Sequence, residues 1–353
     1  HAMSSSPSRA SMRSAIACFR VLGLSAIAAV GILTGAEASA QATKPTAQPA
    51  KPAAAPAAVA APARAAAPPA RATKEKIPAP VELGGNDLLT RDGVVLKATF
   101  FPSNKGKDAV PVILLHSWKG DRREYSALAP VLQQKAGHAV LVPDLRGHGE
   151  STQQQIGNNV RTLDAAKFNP ADFGRMVQYD METLKSFLMD KNNEGELNIE
   201  KLTVVGAEMG AGVALNWAAQ DWSWPPLAGK KQGQDVKGLV LLSPEWSFRG
   251  LSARAAMNHP AVQSRLSVLI GVGERDAKAV AEAKRLYSVF ERYHLEPPPE
   301  EATEKKDLFF GNFDTDLQGT KMLGRSLPVE AWIANFIQLR LVKQNFPWSD
   351  RSK

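Results

Sequence analysis

Six predominantly apolar runs, Val110 to Leu115, Ala139 to Val142, Leu202 to Val205, Val236 to Leu242, Leu266 to Ile270 and Leu308 to Phe313, set the frame of the chain. Between and after them lie stretches whose patterning predicts helix: Tyr125 to Lys135, around Asp172 to Met189, Met209 to Ala219, Ala277 to Phe290 and Pro328 to Val342. Strands that are apolar on both faces and joined by helices imply a parallel sheet covered on both sides. Ahead of them, Val81 to Leu83, Leu88 to Thr90 and Val94 to Phe101, with an Asp-Gly turn at Arg91-Asp92-Gly93, predict an antiparallel hairpin. The expected fold class is α/β, with a mostly parallel eight-stranded sheet and helices on both faces. Such sheets carry their sites at the carboxyl ends of the strands.

The first 80 residues follow a different pattern. His1-Ala2 before Met3 reads as a tag remnant. Arg9, Arg13 and Arg20 then precede the apolar run Val21 to Leu33, and Ala38-Ser39-Ala40 follows. A basic start, a short apolar stretch and an A-x-A site predict a signal peptide cleaved before Gln41. The run is short for a bilayer span, which disfavours an uncleaved anchor. The expected location is periplasmic or extracellular. Residues 41–80 hold 17 Ala and 9 Pro; proline this dense blocks helix, and no apolar period drives folding. The expected organisation is leader 1–40, linker 41–80 and one domain over 81–353.

Charge follows the same division. The chain carries a net charge of +8. Residues 1–40 hold three Arg and one Glu, and residues 41–80 six basic residues and one Glu, leaving 34 basic and 33 acidic residues in 81–353. The folded part thus gives no support to a nucleic-acid surface. The basic linker is suited to contact with anionic lipid or envelope polymer. Cys18, the only cysteine, lies in the leader, so the mature chain has no disulfide and no thiol nucleophile.

Four segments carry the chemistry. His116-Ser117-Trp118-Lys119-Gly120 follows the run ending at Leu115. Asp144-Leu145-Arg146-Gly147-His148-Gly149-Glu150-Ser151 follows the next. Gly206-Ala207-Glu208-Met209-Gly210 joins a strand to a helix, and Gly271-Val272-Gly273-Glu274-Arg275-Asp276 follows the Leu266 run. Strand, tight Gly-x-x-x-Gly turn and helix form the setting of a nucleophile elbow. In this order the four resemble the α/β-hydrolase superfamily, nearest its serine esterase, lysophospholipase and dienelactone-hydrolase-like branches, over about residues 81–345. The resemblance implies an α/β-hydrolase fold. It places the triad at Glu208, Asp276 and Gln318, the oxyanion-hole N–H groups at Ser117 and Met209, and pocket-lining roles at His116, Trp118 and Trp246.

Two of the three triad positions depart from the family. Glu208 stands where serine is expected, and Gln318 where histidine is. A carboxylate cannot become an alkoxide, and an amide has no proton to take up near neutral pH. The triad divides attack, proton transfer and orientation among its members, so losing both groups removes ordinary acyl-enzyme chemistry. Glu208 at a helix N-terminus is expected to fill the oxyanion hole with its own carboxylate.

Other residues offer alternatives. His148 or His259, the latter in an expected cap over Trp246 to Val262, could act with Glu208 and Asp276 in an unorthodox hydrolase. His138 and His294 read as turn or surface residues. Glu208, Asp276, Asp314 and Asp316 supply oxygen ligands in a spacing that matches no metal motif, so no metal and no cofactor is expected. Trp118, Trp222, Trp224 and Trp246 fall near strand ends. The main reading is an exported hydrolase-like protein that binds a small or ester-like ligand, or a partner, without catalysis. The alternatives are an atypical ester hydrolase and a linker-tethered envelope scaffold. Oligomeric state stays open.

Overall fold

The computed structural model describes residues 76–352, apart from Pro226 and Lys230. The leader with Cys18, and linker residues 41–75, lie outside the described residues. Eight strands form the main sheet: β1 (Val81–Leu83), β2 (Lys97–Phe101), β3 (Pro111–Leu115), β4 (Ala139–Asp144), β5 (Leu202–Ala207), β6 (Val236–Leu242), β7 (Ser267–Gly273) and β8 (Leu308–Phe313). Their order is β1-β2-β4-β3-β5-β6-β7-β8. β2 pairs antiparallel with β1 and β4, and every later pair is parallel.

The apolar runs are continuous because both faces are buried. Ile113 and Leu115 join one core with Leu141, Val204 and Ile270, while Val112 and Leu114 join the other with Val140, Val205 and Leu269. That is the two-residue alternation of a strand, with neither side left to water. The first core packs under helices α1 (Met181–Asn193), α2 (Met209–Ser223) and α3 (Ala277–Phe290), the second under α4 (Val329–Ile337).

Two expected elements take a different form. The stretch Tyr125 to Lys135 breaks into a 3-10 turn (Arg122–Tyr125), one α-turn (Leu128–Pro130) and a π-turn (Val131–Lys135). The N-terminal hairpin is redistributed. Gly85–Leu88 is a 3-10 turn, Val94–Val95 pairs with Gln153–Ile156, and β1 pairs with Lys97–Phe101. Gln153–Ile156 then turns through Gly157-Asn158 into Asn159–Thr162, an exposed ribbon that the hydrophobic pattern does not announce.

The Asp144–Ser151 segment is a structural knot. The Asp144 carboxylate is fully buried and accepts from the main-chain N–H groups of Arg122 and Glu150 at 2.7 and 2.9 Å, and from the Arg122 guanidinium. A Cβ at Gly149 would stand 2.3 Å from an Asp144 carboxylate oxygen, so the tight turn needs glycine. Arg146 bridges Asp180 and Asp92, a buried charge satisfied on both sides. Ser151 Oγ–H donates to the Asp144 carbonyl at 2.7 Å. These bonds fix the loops after β3 and β4, which carry one wall of the site.

Candidate active site

β5 ends at Ala207, and Glu208 turns the chain into α2 with φ 49° and ψ −109°. That backbone conformation is strained for a residue with a Cβ. It is held by close packing: a Cβ at Gly206 would lie 2.3 Å from the Gly210 carbonyl oxygen, and one at Gly210 2.3 Å from that of Leu115. The Glu208 N–H donates to the Leu242 carbonyl at 2.9 Å, tying the elbow to the end of β6. The loop after β8 passes over the side chain, where a Cβ at Gly319 would touch Glu208 Cγ and Oε1 at 3.0 Å. Burial pushes the Glu208 carboxyl above the ordinary value; Lys321 opposes this, while Glu124 and Glu245 add to it.

Gln318 does not reach toward Glu208. Its Oε1 accepts from the Ser243 hydroxyl at 2.6 Å and the Gly273 N–H at 3.2 Å, and its Nε2 donates to the Gly273 carbonyl at 3.0 Å. The Ser243 hydroxyl also accepts from the Gly319 N–H at 2.9 Å. Gln318 and Ser243 therefore stitch the loop after β8 to the ends of β6 and β7. Asp276, three residues past β7, accepts from the N–H groups of Lys278 and Ala279 at 2.9 and 3.0 Å. It caps α3, the ordinary use of an Asp at that place.

The oxyanion position carries a correction. The Ser117 N–H donates to Glu124 Oε2 at 2.9 Å, its hydroxyl lies 2.8 Å from both Glu124 oxygens, and the Thr320 hydroxyl adds a bond at 2.9 Å. Glu124, not Glu208, is the carboxylate on Ser117. Glu208 makes no side-chain cap on α2, while Met209, the other expected donor, is fully buried at the helix start. Glu124 lies on the Arg122–Tyr125 turn, seven residues after Ser117. Its one local signal is Gly120, where a Cβ would stand 2.1 Å from Glu124 Oε1.

The α/β-hydrolase fold family matches residues 110–335. The chain belongs to that family. Among solved structures, it is similar to a dienelactone hydrolase from Anabaena variabilis at 18% identity, covering 74% of this chain and 99% of that one with a TM-score of 0.50. It is also similar to an esterase from Rhizomucor miehei at 14% identity, covering 76% and 87% with a TM-score of 0.50. At such identities the likeness concerns the fold alone. Among curated protein sequences, none matches this chain.

Within this α/β-hydrolase frame His116, Trp118 and Trp246, expected to line a pocket, make bracing and packing contacts. His116 is buried; its Nδ1 lies 2.8 Å from the Ser117 carbonyl and its Nε2 accepts from the Leu145 N–H at 3.0 Å, so it braces two loops. Trp118 packs with Phe173 and Phe248 at ring separations of 5.6 and 5.7 Å, and Arg249 covers it at 4.7 Å. An aromatic cluster thus fills the space beside the oxyanion loop. Trp246 lies under Arg285 at 4.1 Å, and its main-chain N–H donates to Glu282, which seats it on α3.

The other histidines are positioned as follows. His148 is buried between His116 and Trp118, its Nδ1 2.9 Å from the Arg146 carbonyl, and burial holds its pKa down to about 4. His259 precedes the one-turn helix Pro260–Ser264, in a segment that packs on α2. His138 and His294, expected in turns or at the surface, are buried at 2% and 6% exposure; the chain folds over them, and His294 Nδ1 lies 2.9 Å from Asp307. Asp314 pairs with Arg275. Among the described residues, no group of three His, Cys, Asp or Glu is placed to hold a metal.

Proposed function

We propose that this chain is an exported α/β-hydrolase-fold protein with a degenerate triad, which binds a small ligand at the elbow instead of cleaving it. The observation that carries the reading is the state of Gln318. It occupies the place of the general base, and both ends of its amide are engaged by Gly273 and Ser243. A base must sit within hydrogen-bond reach of the group it activates and must accept a proton. Gln318 meets neither condition. Two further observations support the reading: Asp276 is committed to the α3 cap, and Glu124 occupies the Ser117 N–H.

The half-buried Glu208 carboxylate is the uncommitted polar group at the elbow, since no hydrogen bond engages its side chain among the described residues. A group of that kind suits a ligand presenting an N–H or O–H donor. Export rests on the basic start, apolar run and A-x-A site of the leader. The test is a thermal-shift screen of small alcohols, amines and esters against the parent and Glu208→Gln. Stabilisation of the parent that is lost in the variant, with the compound recovered intact, supports binding at Glu208. Conversion of an ester to acid and alcohol by the parent overturns it.

A further inference from the structure

The chain leaving α3 and the residues leading into β8 border a cavity of about 140 Å³, at the end of the sheet opposite the elbow. Its polar walls are Tyr287, Glu291, His294, Glu296, Lys306 and Asp307. The N–H groups of Tyr293 and His294 donate to the Phe290 carbonyl at 2.8 and 3.1 Å, so the chain turns back at once after α3. The Asp307 carbonyl accepts from the Val268 N–H at 2.7 Å, which holds the other wall to β7. The His294 side chain is only 1% exposed and packs edge-on against Phe290 at 5.9 Å. Its Nδ1 lies 2.9 Å from Asp307, and its Nε2 is buried with no hydrogen-bond partner among the described residues. The Tyr287 ring stands edge-on to Phe310 at 5.1 Å, and Lys306 is held by Glu296 at 2.5 Å. Among the described residues, no hydrogen bond or ion pair engages the Tyr287 hydroxyl or the Glu291 carboxylate.

We propose that this cavity is a binding site for a primary alkylammonium group. The Asp307 carboxylate beside Nδ1 favours the proton on that nitrogen, which leaves Nε2 of His294 as a bare acceptor. Burial, with Glu291 and Glu296 nearby, raises the Tyr287 phenol above its ordinary value, so its oxygen stays a neutral hydroxyl. The uncommitted groups of the walls are therefore three acceptors: the Glu291 carboxylate, His294 Nε2 and the Tyr287 oxygen. A primary ammonium carries three donors and no acceptor, and so matches them one for one. A buried acceptor without a bond is a standing cost, and a donor that reaches Nε2 removes it. Charge points the same way: Glu291, Glu296 and Asp307 outnumber Lys306, which favours a cation and repels a phosphate or carboxylate. Leu295 and Leu308 line the rest of the cavity and suit a short alkyl stem. A metal ion fits less well, since among the described residues no three His, Cys, Asp or Glu are placed to hold one.

The test is a titration of the full chain carrying Glu208→Gln, so that no amine held at the elbow contributes. It is read at pH 8 on the histidine ring nitrogens by NMR, with His294→Gln assigning the His294 signals. n-Butylamine, an ammonium at that pH, shifts the His294 Nε2 signal and saturates. n-Butanol lacks the charge and tetramethylammonium lacks the N–H donors; at equal concentration and ionic strength both leave that signal in place. Glu291→Gln weakens n-butylamine about tenfold, the loss of one charge-assisted bond. The ammonium can belong to a free amine or to a lysine side chain, and N-acetyl-lysine amide in a parallel titration separates the two. Tighter binding than n-butylamine assigns the site to a peptide lysine, and weaker binding to a free amine. A His294 signal that n-butylamine does not move, or that tetramethylammonium moves as far, overturns the proposal. So does an affinity for n-butylamine that is unchanged in Glu291→Gln.

Discussion

Ser117 donates its main-chain N–H to Glu124 at 2.9 Å, and its hydroxyl lies 2.8 Å from the same carboxylate. The N–H that the resemblance assigns to an oxyanion hole is thus occupied by the Glu124 carboxylate. Removing that anion orphans the Ser117 N–H and the Thr320 hydroxyl. Glu124→Ala is expected to cost about 1–2 kcal/mol in urea unfolding, because bonds to a charged acceptor are strong but this one is partly exposed. Millimolar acetate or formate is expected to restore part of the loss. No recovery in any small carboxylate would contradict an anion cradle at Ser117.

The same contact bears on attempts to rebuild the catalyst. Placing serine at 208 and histidine at 318 leaves Ser117 bound to Glu124 and Asp276 on its helix cap. The double variant Glu208→Ser with Gln318→His is therefore expected to hydrolyse p-nitrophenyl esters weakly or not at all. Adding Glu124→Ala frees an oxyanion donor, a group whose loss elsewhere costs roughly a hundredfold or more in rate. The triple variant should exceed the double by at least about tenfold on that scale. Equal rates would mean that Glu124 does not block the hole.

Glu208 carries two costs that can be measured separately. Its backbone is strained, so near pH 4, where the carboxyl penalty is gone, Glu208→Gly is expected to raise stability by about 1 kcal/mol in urea unfolding. Its carboxyl titrates above the ordinary range because it is buried. An acid whose folded pKa exceeds its unfolded one binds protons better in the folded chain. Stability is then lost as pH rises from the unfolded to the folded value, and the penalty persists above both. Glu208→Gln should accordingly raise Tm by roughly 1–3 °C at pH 7 to 8, with the difference gone near pH 4. An unchanged difference across pH would contradict a buried, titrating carboxyl.

His138 and His148 set the acid limit. Burial holds both near 4 in the fold, with Lys201 and His116 adding to the effect, whereas an unfolded histidine titrates near 6.5. The unfolded chain then takes up protons first. Stability is lost as pH falls from about 6.5 toward 4, by an order of a few kcal/mol for each histidine. Urea unfolding between pH 4 and 8 should show this slope, and His138→Gln should flatten it. A flat profile in the parent would mean that neither histidine is held neutral.

The strands were legible because burial on both faces leaves an unbroken apolar run, as in Val112 to Leu115 and Leu239 to Leu242. The elbow was legible because Gly206 and Gly210 must be small where main chains meet. The ribbon Gln153 to Thr162 was not: its residues are mostly polar, and its two apolar ones, Ile156 and Val160, are exposed, so no hydrophobic alternation marks it. The N-terminus of the helix after Phe168 did carry a signal, a capping box from Asn169 to Asp172 with Pro170 at its first position. Glu124 was invisible for a different reason. Several carboxylates could have reached Ser117, and only the turn at Arg122–Tyr125, set by Asp144 and by the Tyr125 hydroxyl on the Leu115 carbonyl, decides which one does.

The most direct test of a non-catalytic elbow is steady-state hydrolysis of p-nitrophenyl acetate and butyrate by the full chain and by Glu208→Ala. The expected result is a rate indistinguishable between the two and no greater than that of an unrelated protein at equal concentration. Turnover in the parent that disappears in Glu208→Ala would establish a working carboxylate site and contradict the account.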